Sequence, residues 1–443
     1  MDRMNARQRI AVVGAGISGL ASAWLLAGKY DVTLFEAGQY LGGHTNTVDV
    51  TLEGKTHPVD TGFLVFNERT YPNLIAMFDH LGVDSVDTEM SFSVALDTPA
   101  LEWAGSNLAT VFGQKSNLLR PAFWGMLSDI LRFNRESRVW LETHPGDAGT
   151  LDAFLQAGGY SAQFADWYLL PMAAAIWSCP TGQMRGMPLA SFVRFCQNHG
   201  LLQIFDRPSW RTVLGGGREY VKRLAAHIAD IRLACPVSSI HHEGRGLRVI
   251  HAQGSDYFDQ VVMACHSDQA LQILGGTASE AQREVLAAIR YQPNRAVLHT
   301  DAALLPKRKA LWSAWNYFAG SAKDGEQPVG VSYLINRLQP LPFETPVVVT
   351  LNPVIEPDPA KVLAAFDYAH PVFDAAAIAA QQRLLEDFWR IQGRGGIWLA
   401  GAWGSYGFHE DGLKSALRVA NALAVTAPWQ SANTLLPPER AVA

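Results

Sequence analysis

The chain has 443 residues, of which 48% are hydrophobic and 10% aromatic, with a formal net charge of −5. This composition excludes a disordered chain, and the mildly acidic balance argues against nucleic acid as a general partner. The length is enough for two or three domains and a large buried core.

Ile10–Val13 reads as a buried parallel strand, followed at once by Gly14-Ala15-Gly16-Ile17-Ser18-Gly19. Apolar residues then recur at Ile17, Leu20, Ala21, Trp24 and Leu25, the spacing of a helix packed on a sheet. A second strand, Val32–Phe35, ends on Glu36 and Ala37. The three glycines act in different ways. Gly14 permits the tight turn, Gly16 lets backbone approach a pyrophosphate, and Gly19 lets helix and strand pack closely. The helix N-terminus presents free N–H groups to phosphate, and Glu36 is placed to accept hydrogen bonds from a ribose. Strand, glycines, helix, strand and acid in register predict a dinucleotide site and a Rossmann-like α/β fold. A second glycine pair follows in Leu41-Gly42-Gly43-His44-Thr45, where the chain passes the cofactor again, as flavoproteins require and nicotinamide dehydrogenases do not.

From these motifs the chain resembles the superfamily of FAD-dependent amine oxidases, protoporphyrinogen oxidases and phytoene desaturases. Further segments carry the likeness in family order. Val59-Asp60-Thr61-Gly62-Phe63 is similar to the segment beside the isoalloxazine ring, and Trp210 to Tyr220, with Gly215-Gly216-Gly217, to the turn that re-enters the FAD domain. Cys235 to Ile240 and Phe258 to Ala264 resemble the small β-meander and returning strand, with Val237 near the adenine. Ile397 to Gly401-Ala402 and Gly412-Leu413 to Ala420 resemble the closing strand and helix. More narrowly, the run from Gly42 through Phe66 and the segment Tyr406 to Gly412 resemble bacterial FAD-dependent oxidoreductases linked to fatty-acid modification, including a desaturation on the route to furan fatty acids.

The resemblance implies a discontinuous FAD domain (1–95, 211–270 and 391–427) and a substrate domain (96–210 and 271–390) of α+β class, and the Pro/Ser/Ala-rich end is expected to be a flexible tail (428–443). Helical periodicity covers Leu118 to Trp140. Arg295–Thr300, Val329–Ile335 and Val347–Leu351 read as strands, and Ala360–Ala369 and Ala375–Trp389 as helices.

Departures from the family pattern bear on the chemistry. Asn294-Arg295 stands where amine oxidases place a lysine that holds water at the flavin. Arg295 thereby becomes a candidate at the ring, and an amine oxidase is disfavoured because arginine cannot be deprotonated. Gly401-Ala402 lacks the family's acidic ribityl contact, and no Ser-Gly-Gly-Cys attachment motif is present, so non-covalent FAD is expected. No second GxGxxG with strand-to-helix context offers a nicotinamide site. Electrons are therefore expected to pass from substrate to flavin N5 as hydride, and on to oxygen, a quinone or a carrier. Tyr406, His409 and Glu410 lie between the last strand and the closing helix; His409 is the preferred acid/base candidate, since an imidazole titrates near neutrality. His44 is read as a phosphate or ribityl contact or a core histidine, and His266 as a lining residue of the cofactor crevice. Asp411 is read as a helix cap.

The substrate expected is lipidic, a fatty-acyl chain, in an apolar tunnel of Trp177, Phe192, Phe195 and Trp312. A desaturase or oxidase leads; a redox-neutral double-bond isomerase and an amine oxidase are the alternatives. Aromatic and basic residues cluster at Leu118 to Arg138 and at Lys307 to Phe318, which suits either an anionic membrane surface or an ordinary amphipathic helix with a solvated basic face. The four cysteines show no CxxC pair, so no metal or disulfide framework is expected. No apolar run approaches a bilayer span. A cytoplasmic protein, peripheral on the inner membrane face and working beside another lipid-modifying enzyme, is the resulting expectation.

Overall fold

The computed structural model describes residues 7–144, 149–177, 180–203, 207–320 and 329–430. At its centre lies a five-stranded parallel sheet in the order Asp230–Arg232, Asp31–Phe35, Arg9–Val13, Gln260–Met263, Ile397–Leu399. Its strands come from three distant stretches of chain. Buried on both faces, they are near-continuous apolar runs, as parallel strands must be. One face is covered by the helices Ile17–Ala27 and His409–Ala422, which share an apolar core containing Leu20, Leu34, Leu413 and Leu417. The other face packs on an antiparallel meander of Val237–Glu243, Gly246–His251 and Gly254–Phe258.

A second, mixed sheet has seven strands in the order Val362–Pro371, Tyr291–His299, Val348–Leu351, Val329–Leu334, Trp315–Ala319, Phe92–Leu96, Leu101–Ala104. Helices between Pro121 and Asn198 pack beside it around Phe133, Phe164 and Phe192. The whole is the expected α/β and α+β combination.

The largest departure from expectation is Val362–Pro371, a ten-residue strand paired antiparallel with Tyr291–His299 where alanines pointed to a helix. Leu363, Ala365 and Asp367 are exposed or half-exposed while Tyr368 turns inward. Cross-strand pairing outweighs alanine's helix preference of a few tenths of a kcal/mol per residue. His241 and His242 lie near the end of the strand Val237–Glu243, opposite Arg248 and Leu247. Within the expected tail, Trp429 is ordered on the core, stacked on Trp24 at 5.8 Å between ring centroids; residues 431–443 and Cys179 lie outside the described residues.

Candidate active site

The strand Arg9–Val13 ends at Gly14, whose φ of +100° favours glycine. A Cβ on Gly19 would lie 1.8 Å from the Gly14 carbonyl oxygen, so only glycine lets this helix close on the turn. Gly16, by contrast, faces open space, with no atom within 4 Å of an added Cβ. The helix from Ile17 has no side-chain cap, which leaves its first N–H groups free for an anion. The second glycine pair closes against the first: Gly42 donates its N–H to the Ala15 carbonyl (2.8 Å) and forms a bridge with Gly16. Glu36 accepts from the N–H groups of Ala15 (2.8 Å) and Gly38 (2.7 Å).

These turns open into one cavity of about 810 Å³ that runs on between the two sheets. Gly14, Gly16, Ile17, Ser18, Glu36, Ala37, Gly42, Gly43 and His44 line it, and Val237 joins them through Cys235, whose N–H bonds the Glu36 carbonyl. Gly62, Phe63, His266, Gly401 and Ala402 line the middle. Gly62 is required there, since a Cβ would meet the His44 carbonyl oxygen at 2.2 Å.

His409 also reaches the wall, but its Nε2 is engaged by the hydroxyls of Thr45 (2.7 Å) and Tyr220 (3.1 Å), and its ring stacks on Phe63 at 3.7 Å. Burial holds this imidazole down to about 3, and the two hydroxyls leave its Nε2 no open lone pair for a substrate proton. The geometry gives His409 and Thr45 a positioning part rather than the proton-transfer part expected of His409.

Beyond this point the wall becomes apolar, with Leu64, Met90, Trp177, Phe195, Trp210 and Trp315. Tyr406 lines it as expected, its phenol pushed up by burial. His199, which sequence reasoning passed over, lines it too. Its Nδ1 lies 3.0 Å from the Phe195 carbonyl, and a carbonyl can only accept. The proton is thus on Nδ1 and the lone pair on Nε2. Burial lowers this group to about 4.

Several expected residues lie elsewhere. Arg295 is exposed and ion-paired with Glu356 (2.7 Å), while its neighbours Asn294 and Ala296 are buried; strand alternation turns it away from the cavity. Glu410 is buried at the start of the helix Pro72–Leu81, accepting from Asn73 N–H (3.1 Å), Asn73 Nδ2 (2.7 Å) and Leu74 N–H (2.9 Å). It caps a helix and does not face substrate. Gly412 and Leu413 lie behind the wall: Gly412 packs against Ile17 and accepts from the Ser18 hydroxyl (3.0 Å), and Leu413 is core. Of the expected tunnel, Phe192 is core and Trp312 sits in a separate small cluster with Leu305 and Val348. Asp411 caps its own helix, accepting from the Phe408 N–H (3.0 Å).

The residues present fit FAD: two interlocked glycine turns, an uncapped helix start, and a buried His44 Nε2 with no partner in the structure. Fold and cavity together define a two-sheet flavoprotein oxidoreductase. The family model described as flavin containing amine oxidoreductase matches residues 17–335, and the chain belongs to that family, with FAD as its cofactor. Among solved structures it is similar to a CLA-producing fatty acid isomerase from P. acnes (TM-score 0.65, 15% identity, covering 94% of this chain and 99% of that one). It is also similar to cyclohexylamine oxidase from Brevibacterium oxydans IH-35A (TM-score 0.64, 17% identity, 94% and 100%). An L-amino-acid oxidase from Pseudechis australis is 46% identical over 48 residues, 11% of this chain and 9% of that protein's length.

Proposed function

We propose that the protein oxidises a lipidic, fatty-acyl substrate, as a desaturase or oxidase. The observation that carries this reading is the wall of the substrate end. Its side chains are aromatic and aliphatic, and the acidic residues lining the cavity among those described are Glu36, tied to backbone N–H groups at the nucleotide end, and Asp367, which is exposed. An ammonium ion taken into such a wall would lose its hydration without a buried carboxylate in return, whereas an acyl chain gains about 25 cal/mol for each Å² of apolar surface it buries.

Bound FAD supplies a two-electron acceptor. Trp177, Phe195 and Trp210 exclude water and align the chain. His199, with Nε2 unprotonated, accepts a proton from the carbon next to the oxidised one, and the Tyr406 phenol stays protonated as a donor. Anaerobic mixing of the yellow protein with fractionated bacterial lipids should bleach the flavin, and the product should be two hydrogens lighter. A redox-neutral isomerase, the activity named for the P. acnes relative, would give a product of unchanged mass. Bleaching by amines but by no lipid would overturn the reading.

The surface supports a lipid source at a membrane. Leu108 and Leu119 are 78% and 87% exposed, Leu118 adjoins Leu119, and Trp124, Leu131 and Val139 continue the exposed apolar side chains along the helix Pro121–Thr143. Exposed Lys115 and Arg135 edge it, and the Lys307–Lys309 run lies close by, with Leu311 against Gly113. Apolar side chains set among cations on an acidic protein match the interface of an anionic bilayer. No helix among the described residues is long and apolar enough to cross one.

A further inference from the structure

Between the glycine turns and the apolar wall stand three half-buried imidazoles, His44, His266 and His370, brought together from three separate elements. His44 lies 5.1 Å from His370 and 6.0 Å from His266, ring centre to ring centre. His44 directly follows Gly43, whose Cβ, if built, would be 3.1 Å from the Cα of Gly16. His266 follows Ala264 and Cys265, whose backbone meets Gly14 at 3.0 Å from an added Cβ. His44 and His266 thus adjoin the glycine turns through their neighbours in the chain, and His370 joins them through its contact with His44.

Two of the three are held by neighbours. Asn294 donates to His370 Nδ1 (2.9 Å), and Tyr291 stacks on His266 at 4.4 Å. His44 stacks on Tyr368 at 5.0 Å, and its Nε2 is buried and unpartnered. The charged and titratable groups around them do not neutralise a charge on the trio. From the glycine turn come Glu36, occupied by two N–H groups, and Tyr40; from the strand Val362–Pro371, Tyr368; from the strand Tyr291–His299, Tyr291. His409 adds a further imidazole from the closing helix, and Asp268, beside His266, is exposed.

We propose that His44, His266 and His370 form an anion seat that receives the diphosphate of FAD and takes up protons from solvent as the cofactor binds. In the flavin-free protein, burial and mutual repulsion keep the trio neutral: His370 is lowered to about 4, and His44 and His266 also lie below the ordinary imidazole value. An anion placed against them reverses the sign of that environment and favours the charged form. Proton uptake on binding then requires FAD affinity to rise as pH falls, by up to about tenfold per pH unit for each proton bound, and to level off once the free trio is itself protonated. The inference rests on the FAD cradle and stands apart from the identity of the substrate.

The test is calorimetric titration of FAD into the flavin-stripped full chain between pH 6 and pH 8.5, in buffers of contrasting ionisation enthalpy. Net uptake of at least about half a proton per FAD, with a dissociation constant that rises toward high pH, is expected. His44→Arg, permanently charged, should still bind and should flatten the pH dependence; His370→Gln should lower the uptake. Should stripping harm the protein, the rate of flavin release from the yellow protein across the same pH range reads the same property, and it should increase with pH. Binding heats that do not depend on the buffer, with affinity and release rate level across the range, overturn the proposal. So does uptake that persists unchanged in both variants.

Discussion

At the scale of single residues, function depends on which way a side chain points, and adjacent positions differ completely. His199 and His409 show this. Both are half-buried imidazoles at the cavity wall, but the ring nitrogen of His409 is occupied by two hydroxyls, and that of His199 is left with its lone pair by a bond at the other end of the ring. His199→Ala should slow anaerobic flavin reduction by about 10²-fold with flavin content unchanged, as measured by stopped-flow absorbance. Because the wild-type group is held at about 4, the rate should be level above roughly pH 5 and fall as pH drops toward that value, where the base becomes protonated. Gly19 offers the opposite kind of residue, legible without a structure. Gly19→Ala drives a methyl into the Gly14 carbonyl, should cost about 1–3 kcal/mol or more, and should yield protein with little flavin, read from its absorbance ratio.

At the scale of elements, periodicity decided what could be foreseen. The parallel strands Arg9–Val13 and Asp31–Phe35 were legible because a buried strand is an unbroken apolar run bounded by glycines. The strand Val362–Pro371 was not, because its pairing partner lies more than sixty residues away and its alanines carry a helical preference. That misreading hid Tyr368 and, just beyond the expected helix, the direction of His370, two of the residues around the cofactor cavity. The helix Pro121–Thr143 was legible as a helix, whereas its exposed apolar stripe needed the fold to show which face stays uncovered. Leu119→Asp with Trp124→Asp should abolish cosedimentation with phosphatidylglycerol vesicles and leave flavin content unchanged. Wild-type protein that ignores such vesicles would remove the membrane from the proposal.

At the scale of the whole molecule, the burial of ionisable groups sets the response to acid. His199, His299 and His370 are held at about 4, His409 at about 3, and His44 well below its ordinary value, so in the flavin-free fold all five are neutral. An unfolded chain takes up these protons near pH 6.5, so the folded state loses stability as pH falls from there toward 4. Asp60 and Asp411, both raised to about 6 by burial, act in the opposite direction: the fold binds their protons more tightly than the unfolded chain between about pH 4 and 6. The lowered imidazoles, His266 among them, outnumber the raised carboxylates Asp60, Asp166 and Asp411, with each net proton worth about 1.4 kcal/mol per pH unit. Flavin-free protein should therefore unfold on acidification between about pH 6 and 4, followed by circular dichroism. Loading with FAD should move the midpoint lower, because a ligand that binds only the fold stabilises it.

The amino-acid sequence alone determined the nucleotide half of this protein. Gly14, Gly16, Gly19, Glu36 and the Gly42-Gly43 pair are neighbours along the chain, and their work is done by backbone conformation, which local residue type controls. The tertiary structure alone decided the reactive half. The His44, His266 and His370 cluster, the lone pair of His199, the outward turn of Arg295 and the capping by Glu410 depend on how the packed chain directs each side chain, in most cases against partners tens to hundreds of residues away. Charge, burial and direction at such positions are properties of the packed fold, and no local pattern encodes them.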